Sequence, residues 1–300
     1  MSATEPLVSI GLPVRNGEQD LPAVIESVLA QDYPHLELVI CDNASTDGTE
    51  ALCRKLAAAD SRIVYHRHPV NVGLFNNFNS AARLARGEYF RWIGDDDTLA
   101  PDYVSRCMQV YRDDPRLVLV TTQINYVSSD GTSETAEYHG TALASDDPAE
   151  RFAEMLRLLN ESYATIDPLY GLMRRATLVG IERHNMYAED QVLAARLALA
   201  GPWRHIPEIL ATRRRDPEKS SAVARKNGVP VWQIRAATLL QSRELLRHVA
   251  AAELTEEQRR RAVAAVRRFY VRRQQAILAR RVRRLARTAG RLVSTERSKA

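Results

Sequence analysis

Cysteine is scarce in this sequence, long apolar runs are missing, and neither common glycine-rich phosphate loop occurs. The three cysteines, Cys41, Cys53 and Cys107, show no metal-knuckle spacing and no even framework. They therefore read as reduced, buried cysteines of a cytoplasmic protein. No stretch approaches about 18 consecutive apolar residues, so no helix is expected to cross a membrane. Residues 1–6 hold no basic segment and no apolar one, and no signal peptide is read there. No Gly-x-Gly-x-x-Gly follows the first strand and no Gly-Lys-Ser/Thr appears, which disfavours dinucleotide and P-loop chemistry. What remains is globular: 45% hydrophobic and 26% charged residues. The 300 residues suffice for one large α/β domain and an extension.

Charge is unevenly spread. The segment from Glu257 to Ala300 holds 15 of the 42 Lys and Arg but 2 of the 37 Asp and Glu. It carries +13, and the rest of the chain carries −8, which together give the chain's +5. An acidic body with a basic tail points to a tail that meets an anionic surface.

Residues 7–12 read as a buried strand stopped by Pro13. A helix follows, with Asp20 as its N-cap and Leu21, Val24, Ile25 and Val28 on its apolar face. Strands are expected at 36–40, 62–66 and 88–93, and helices at 49–59 and 75–85. Such alternation implies parallel βαβ units, whose ligands gather beyond the carboxyl ends of the strands. Asp42, Asp47 and the run Asp95-Asp96-Asp97 all fall at such ends. Three adjacent carboxylates are costly to bury without a counter-charge. A divalent cation resolves that cost, since Mg²⁺ and Mn²⁺ take oxygen ligands and share them with substrate phosphates. The plain alternative is a solvated acidic turn before the helix that starts near Pro101.

These motifs together resemble family 2 glycosyltransferases. Pro13-Val14-Arg15-Asn16-Gly17-Glu18 looks like the family's opening turn. Asp42-Asn43-Ala44-Ser45-Thr46-Asp47-Gly48-Thr49 is similar to its Asp-x-x-Ser-x-Asp-x-Thr motif. Asn71-Val72-Gly73 and Ala85-Arg86-Gly87-Glu88-Tyr89 recur there, and Asp95-Asp96-Asp97 resembles the metal-binding Asp-x-Asp. The resemblance covers about residues 7–215; Arg15 departs from it, standing where the family often has Tyr. It implies an α/β GT-A fold, a mostly parallel central sheet with flanking helices, over residues 1–215. Residues 216–300 are then a helical C-terminal extension. It assigns Pro13, Asn16, Glu18, Asp42 and Asn71 to the nucleotide, and Asp97 with Asp95 to Mn²⁺ or Mg²⁺. Asp95 and Asp96 would lie near the ribose and phosphates. Glu189-Asp190 opens a helix, where acids usually serve as caps and dipole partners. The resemblance instead makes Asp190 the catalytic base, with Glu189 in reserve.

Residues 117–122 and 123–127 read as two strands, and residues 128–147 as a polar loop over the site. Residues 148–160 read as a helix. A strand at 206–212 ends in Arg213-Arg214-Arg215, with Lys219-Ser220-Ser221 beyond. Arg213 in this cluster is a candidate for the diphosphate, against a solvated charged loop. His66 and His68 lie two apart on a strand without a third ligand nearby, and read as surface histidines. Helices are expected at 232–249 and 255–291. Thr255 and Gln258 form a capping box at the start of the second. Val263, Val266, Tyr270, Ile277, Leu278, Val282, Leu285 and Leu292 recur along it among arginines. Such a basic amphipathic helix lies on an anionic membrane or packs its stripe on the body.

The expected activity is sugar transfer from a UDP, dTDP or GDP sugar to a saccharide or lipid-linked acceptor, with inversion, in cell-surface glycan synthesis. The expected place is the cytoplasm, peripheral to the inner face of the membrane. A sugar-1-phosphate nucleotidyltransferase is the first alternative, though Pro13 to Glu18 stands where its glycine-rich loop belongs. The second is nucleic-acid binding through the arginine-rich tail, which has only Phe269 and Tyr270 for base stacking.

Overall fold

Strands and helices alternate from β1 (Val8–Val14) through α1 (Leu21–Leu29), β2 (Leu36–Asp42), α2 (Thr49–Ala59), β3 (Ile63–Arg67) and α3 (Leu74–Leu84) to β4 (Tyr89–Trp92). The computed structural model describes residues 5–161, 165–215 and 220–297. Next come β5 (Thr98–Leu99), α4 (Tyr103–Asp113), β6 (Leu119–Val127), β7 (Ser133–Glu134) and α5 (Pro148–Glu161). The chain continues with β8 (Leu172–Arg174), α6 (Arg175–Gly180), α7 (Glu189–Ala200) and β9 (Trp203–Arg214). Three helices close it: α8 (Ser220–Lys226), α9 (Trp232–Ala251) and α10 (Glu256–Arg297).

The strands form one sheet in the order β3-β2-β1-β4-β8-β6-β9-β5, with β7 on β6. The first four are parallel, as the βαβ pattern requires. β8 then runs against both its neighbours and β5 against β9, so the second half of the sheet is mixed. Helices cover both faces. Val8, Ile10, Leu12 and Val14 of β1 meet α1 and α4 on one side. On the other, Phe90 and Trp92 of β4 meet Ala81 and Ala82 of α3. Gly11 makes that second face possible: a Cβ there would stand 2.6 Å from the Phe90 ring.

Several local expectations change. β1 runs through Pro13 instead of stopping at it. The Gly11 carbonyl accepts from Ile93 and the Val14 carbonyl from Asn43, so alternate residues of β1 face β4 and β2. Pro13 faces β4 beyond its last paired residue, where a missing N–H goes unnoticed. Asp20 stands at the N-cap of α1 but makes no capping bond; its carboxylate turns to Arg214 at 3.4 Å. Residues 119–127 are one strand, and the break expected at Gln123 lies in its pairing with β9. Thr122 pairs with Ile206 but Gln123 with Ile209. Pro207 falls in the residues looped out, where its lack of an N–H suits a bulge. The 128–147 segment is anchored to the sheet, with Tyr138 and Leu143 buried and Gln123 donating to the Ala136 carbonyl.

The capping box of α10 forms as expected, Thr255 N donating to Gln258 Oε1 and Gln258 N to Thr255 Oγ1. The apolar stripe of α10 then splits. Ala262, Ala265, Val266 and Phe269 join Phe152 and Leu156 of α5, Ala195 of α7, and Leu245 and Val249 of α9 in a third core. Val271, Ile277, Leu278 and Val282 lie exposed. Val266 therefore belongs to the body and not to a membrane face; the side chains of Leu285 and Leu292 lie outside the described ones. Among the described residues no helix is long and apolar enough to cross a membrane.

Candidate active site

The carboxyl ends of β1, β2 and β4 bring three loops together. Asn16 adopts φ 57°, a left-handed conformation that Asn tolerates better than most residues. It joins the first loop to the second: its N–H donates to Ser45 Oγ at 2.9 Å, and its Oδ1 accepts from Thr46 N at 2.8 Å. Glu18 repeats the clasp by accepting from Gly48 N at 3.0 Å. Asp42 ends β2 fully buried, with Ser45 N on Oδ1 and the Tyr65 hydroxyl on Oδ2, both at 2.8 Å. Pro13 is buried beside it, at the same register as Cys41. Asn71 is exposed and closes its own turn onto Gly73 N at 2.9 Å. These five residues thus converge on one rim, and most of their polar atoms already brace it.

The acidic triplet follows β4. Asp97 is buried, its Oδ2 accepting from Gly94 N at 3.1 Å and from Arg213 Nε at 3.0 Å. Among the described residues its Oδ1 is buried with no partner. Burial pushes the Asp95 pKa up, with the Asp97 and Asp20 charges adding to it and Lys226 opposing. Asp96 is exposed, yet the surrounding protein, Asp97 and Asp95 push it up to about 6. A cation here would relieve the repulsion and satisfy the orphaned oxygen. Among the described residues no three Asp, Glu, His or Cys side chains gather as a metal cluster. A pair of carboxylates completed by substrate phosphates is the donor set that Mg²⁺ and Mn²⁺ accept. His66 and His68 stack edge to face at 4.9 Å.

Arg213 is no solvated loop residue. It is the last residue but one of β9, stacks over the Tyr170 ring at 3.4 Å, and bridges Asp97 to the buried Asp167 at 2.5 Å. These partners hold its pKa well above the ordinary value against the effect of burial. Asp167 was not singled out from the sequence. Asp167 lies 46 residues from Arg213, with no local pattern to mark it. Lys219 lies outside the described residues.

Across the cleft, Ala188 takes φ 59° and turns the chain into α7. Ala188 offers no side-chain cap, while Asp190 accepts from the Gln191 amide and its own in the first turn. Glu189 is buried and bound through both oxygens by Arg183, which also reaches Asn79 at 2.9 Å and stacks near the Phe75 and Trp92 rings. Asp190 has no such cation. It lines a cavity of about 390 Å³ with Tyr170, Tyr187, Phe75 and Lys226. Burial raises its pKa to about 6, against the Gln191 amide, its own amide and the Arg273 charge. Both acids line that cavity, and the ion pair separates them: Arg183 holds Glu189, while among the described residues no cation bonds Asp190.

The family model described as Glycosyl transferase family 2 matches residues 9–178. A chondroitin synthase from Escherichia coli is 27% identical over 216 residues, which are 72% of this chain and 30% of that protein. The chain thus spans under a third of that relative's length. S. aureus TarS 1–349, solved with UDP, superposes with a TM-score of 0.64 at 18% identity, over 87% of this chain and 70% of that one. The mannosyltransferase PcManGT from Pyrobaculum calidifontis, solved with GDP-Man and Mn²⁺, does so with 0.55 at 18%, over 96% and 81%. At such identities the likeness is one of fold.

Proposed function

The chain belongs to Glycosyl transferase family 2 and has the GT-A fold, and from that premise we propose that it moves a sugar from a nucleoside-diphosphate sugar to an acceptor hydroxyl, with inversion, in making a cell-surface glycan. The observation that carries this reading is the pairing of two unlike carboxylate sites across one cleft. Asp95 to Asp97 form an anionic loop with an orphaned oxygen, and Asp190 is a lone raised carboxylate on a cavity. Lys226 joins them, lining that cavity and acting on Asp95.

In this proposal Pro13, Asn16, Glu18, Asp42 and Asn71 frame the base and ribose, and Asp95 and Asp96 stand near the ribose and phosphates. Asp97 Oδ1 and Asp95 would hold Mn²⁺ or Mg²⁺, which when bound supplies Lewis-acid stabilisation of the departing diphosphate. Arg213 keeps Asp97 in place and keeps water from its Oδ2. Asp190 takes the proton from the acceptor hydroxyl as that oxygen bonds to the anomeric carbon and the bond to the diphosphate breaks. A pKa near 6 leaves it ionised at neutral pH yet more basic than an ordinary Asp. The residue 1–215 unit carries this chemistry in the proposal, α8 adds Lys226 to the cavity wall, and α9 and α10 pack against α7 and α5.

Calorimetry with UDP, dTDP and GDP, each with Mn²⁺ and with EDTA, tests the donor site. One nucleotide is expected to bind only with metal, and Asp95→Asn and Asp97→Ala are expected to abolish that binding while the far-UV spectrum stays native. A folded protein that binds none of the three would overturn the proposal. UDP and GDP are the nucleotides of the solved neighbours' ligands. The acceptor is proposed to be a saccharide, free or lipid-linked.

The exposed part of α10 is proposed to lie on an anionic membrane, at the inner face of the cell membrane. Its support is the exposed Val271, Ile277, Leu278 and Val282 among Arg272, Arg280, Arg281 and Arg283. Co-sedimentation with phosphatidylglycerol vesicles, absent with phosphatidylcholine alone and weakened by Leu278→Glu, is the expected result; equal recovery with both vesicles would refute it. The nucleic-acid reading loses one of its two aromatics, because Phe269 is buried in the third core, and Tyr270 is half-buried.

A further inference from the structure

Arg273 lies where α10 leaves the body, and it is half-buried. Nε donates to Asn160 Oδ1 at 3.1 Å and Nη2 to the Leu159 carbonyl at 2.8 Å, both on α5. Nη2 also donates to Gln191 Oε1 on α7 at 2.9 Å, and Nη1 to Gln241 Oε1 on α9 at 3.2 Å. The Phe269 ring lies beneath it, 4.6 Å away. One planar fork thus joins four helices, a geometry that lysine cannot reproduce.

The second member of this hub is Gln241, itself buried. Its Nε2 donates to Gln191 Oε1 at 3.0 Å and to the Ala188 carbonyl at 3.2 Å. Those two residues flank the acid pair. Ala188 holds the left-handed turn, a strained position for a residue with a Cβ, and Gln191 supplies an amide to Asp190. Removing Arg273 would leave Gln191 Oε1 and Gln241 Oε1 without this donor beside that turn.

We propose that Arg273 of the C-terminal helix is a positioning residue for Asp190, orienting the start of α7 through Gln191 and Gln241 and placing a positive charge behind the carboxylate; this rests on Asp190 being the base. Few charged groups surround Asp190. Glu189 and Arg183 neutralise each other, Lys226 and Tyr187 line the cavity, and Asp167 is tied to Arg213. The Arg273 charge acts on Asp190 and favours its ionised form. The coupling is mutual, for Asp190 favours the charged form of Arg273 against the cost of its burial.

The test is a carboxyl titration of the full chain labelled with ¹³Cγ-aspartate, in which Asp190→Asn identifies the Asp190 signal. Arg273→Gln is expected to raise its midpoint by about half to one pH unit. Arg273→Lys is expected to restore most of the charge effect but to broaden the signal, since the fork is lost. An unchanged midpoint in folded Arg273→Gln would overturn the inference. If that variant does not fold, Arg273→Met replaces it, its unbranched stem covering Phe269 without burying a polar end. Turnover separates this from the reading it rests on. Full nucleoside-diphosphate release by Asp190→Asn would overturn Asp190 as the base, whatever the titration shows. Lost release with an unmoved midpoint in Arg273→Gln would overturn the role of Arg273 alone.

Discussion

Asp190→Asn is expected to lower sugar transfer by about two to four orders of magnitude while making the protein more stable at neutral pH. Both effects follow from the burial that raises this carboxyl to about 6. Burial makes the carboxylate a better proton acceptor and also penalises its charge. The folded pKa lies above the unfolded one, so the neutral form is favoured by folding. The wild type is therefore unpenalised below about pH 4, loses stability as pH rises from about 4 to 6, and carries the full penalty above that. An amide escapes the penalty. With allowance for the partial solvent access of Asp190, the gain is about 1–2 kcal/mol at pH 8 and vanishes toward pH 4. Urea denaturation at pH 4 and pH 8 measures it, and donor calorimetry is expected to be unchanged. Wild-type release of nucleoside diphosphate by a folded Asp190→Asn would remove Asp190 from the mechanism.

Arg213→Met is expected to be the most destabilising single change at the site. Arg213 joins two buried carboxylates, Asp97 and Asp167. Removing one partner of a buried pair costs about 3–5 kcal/mol, because the charge left behind has neither water nor a counter-ion. The pH dependence follows from Asp167, whose pKa burial already raises and Arg213 opposes. Without Arg213 that pKa rises further, so the loss is largest above neutral pH and shrinks as pH falls and Asp167 takes a proton. The double variant Arg213→Met/Asp167→Asn is expected to regain a large part of the loss. A loss under about 1 kcal/mol for Arg213→Met at pH 8 would mean that water reaches these groups and that the bridge does not hold the loop.

Much of the first half was legible because its signals are local. α2 spans Thr49–Ala59 as its pattern predicts, and β2 and β4 lead into the carboxylates that the alternation placed at strand ends. Pro13 misled because its effect depends on which neighbour the missing N–H would face, a property of the sheet and not of the strand. Asp20 misled because its carboxylate found Arg214 instead of the helix amides. The arginine cluster was visible as composition, but its meaning was not. Arg213 acquires its role from Asp97, 116 residues away, and from Tyr170, whose ring only the folded chain brings beneath it. The Glu189-Asp190 pair was legible as a pair. Which acid is free depends on Arg183, whose guanidinium is fixed by Asn79 and by two rings from α3 and β4.

The hub around Arg273 also bears on the order in which the site is completed during synthesis. The ribosome reaches Arg273 82 residues after Gln191. A nascent chain can close β1, β2 and β4 around the donor loops well before that. The start of α7, with the proposed base, cannot reach its final form until the last long helix has emerged and folded back against α5, α7 and α9, closing a loop of that length. On the proposed mechanism, errors in translating the tail therefore fall on the proton-transfer step first, in a molecule whose proposed donor loops are already formed.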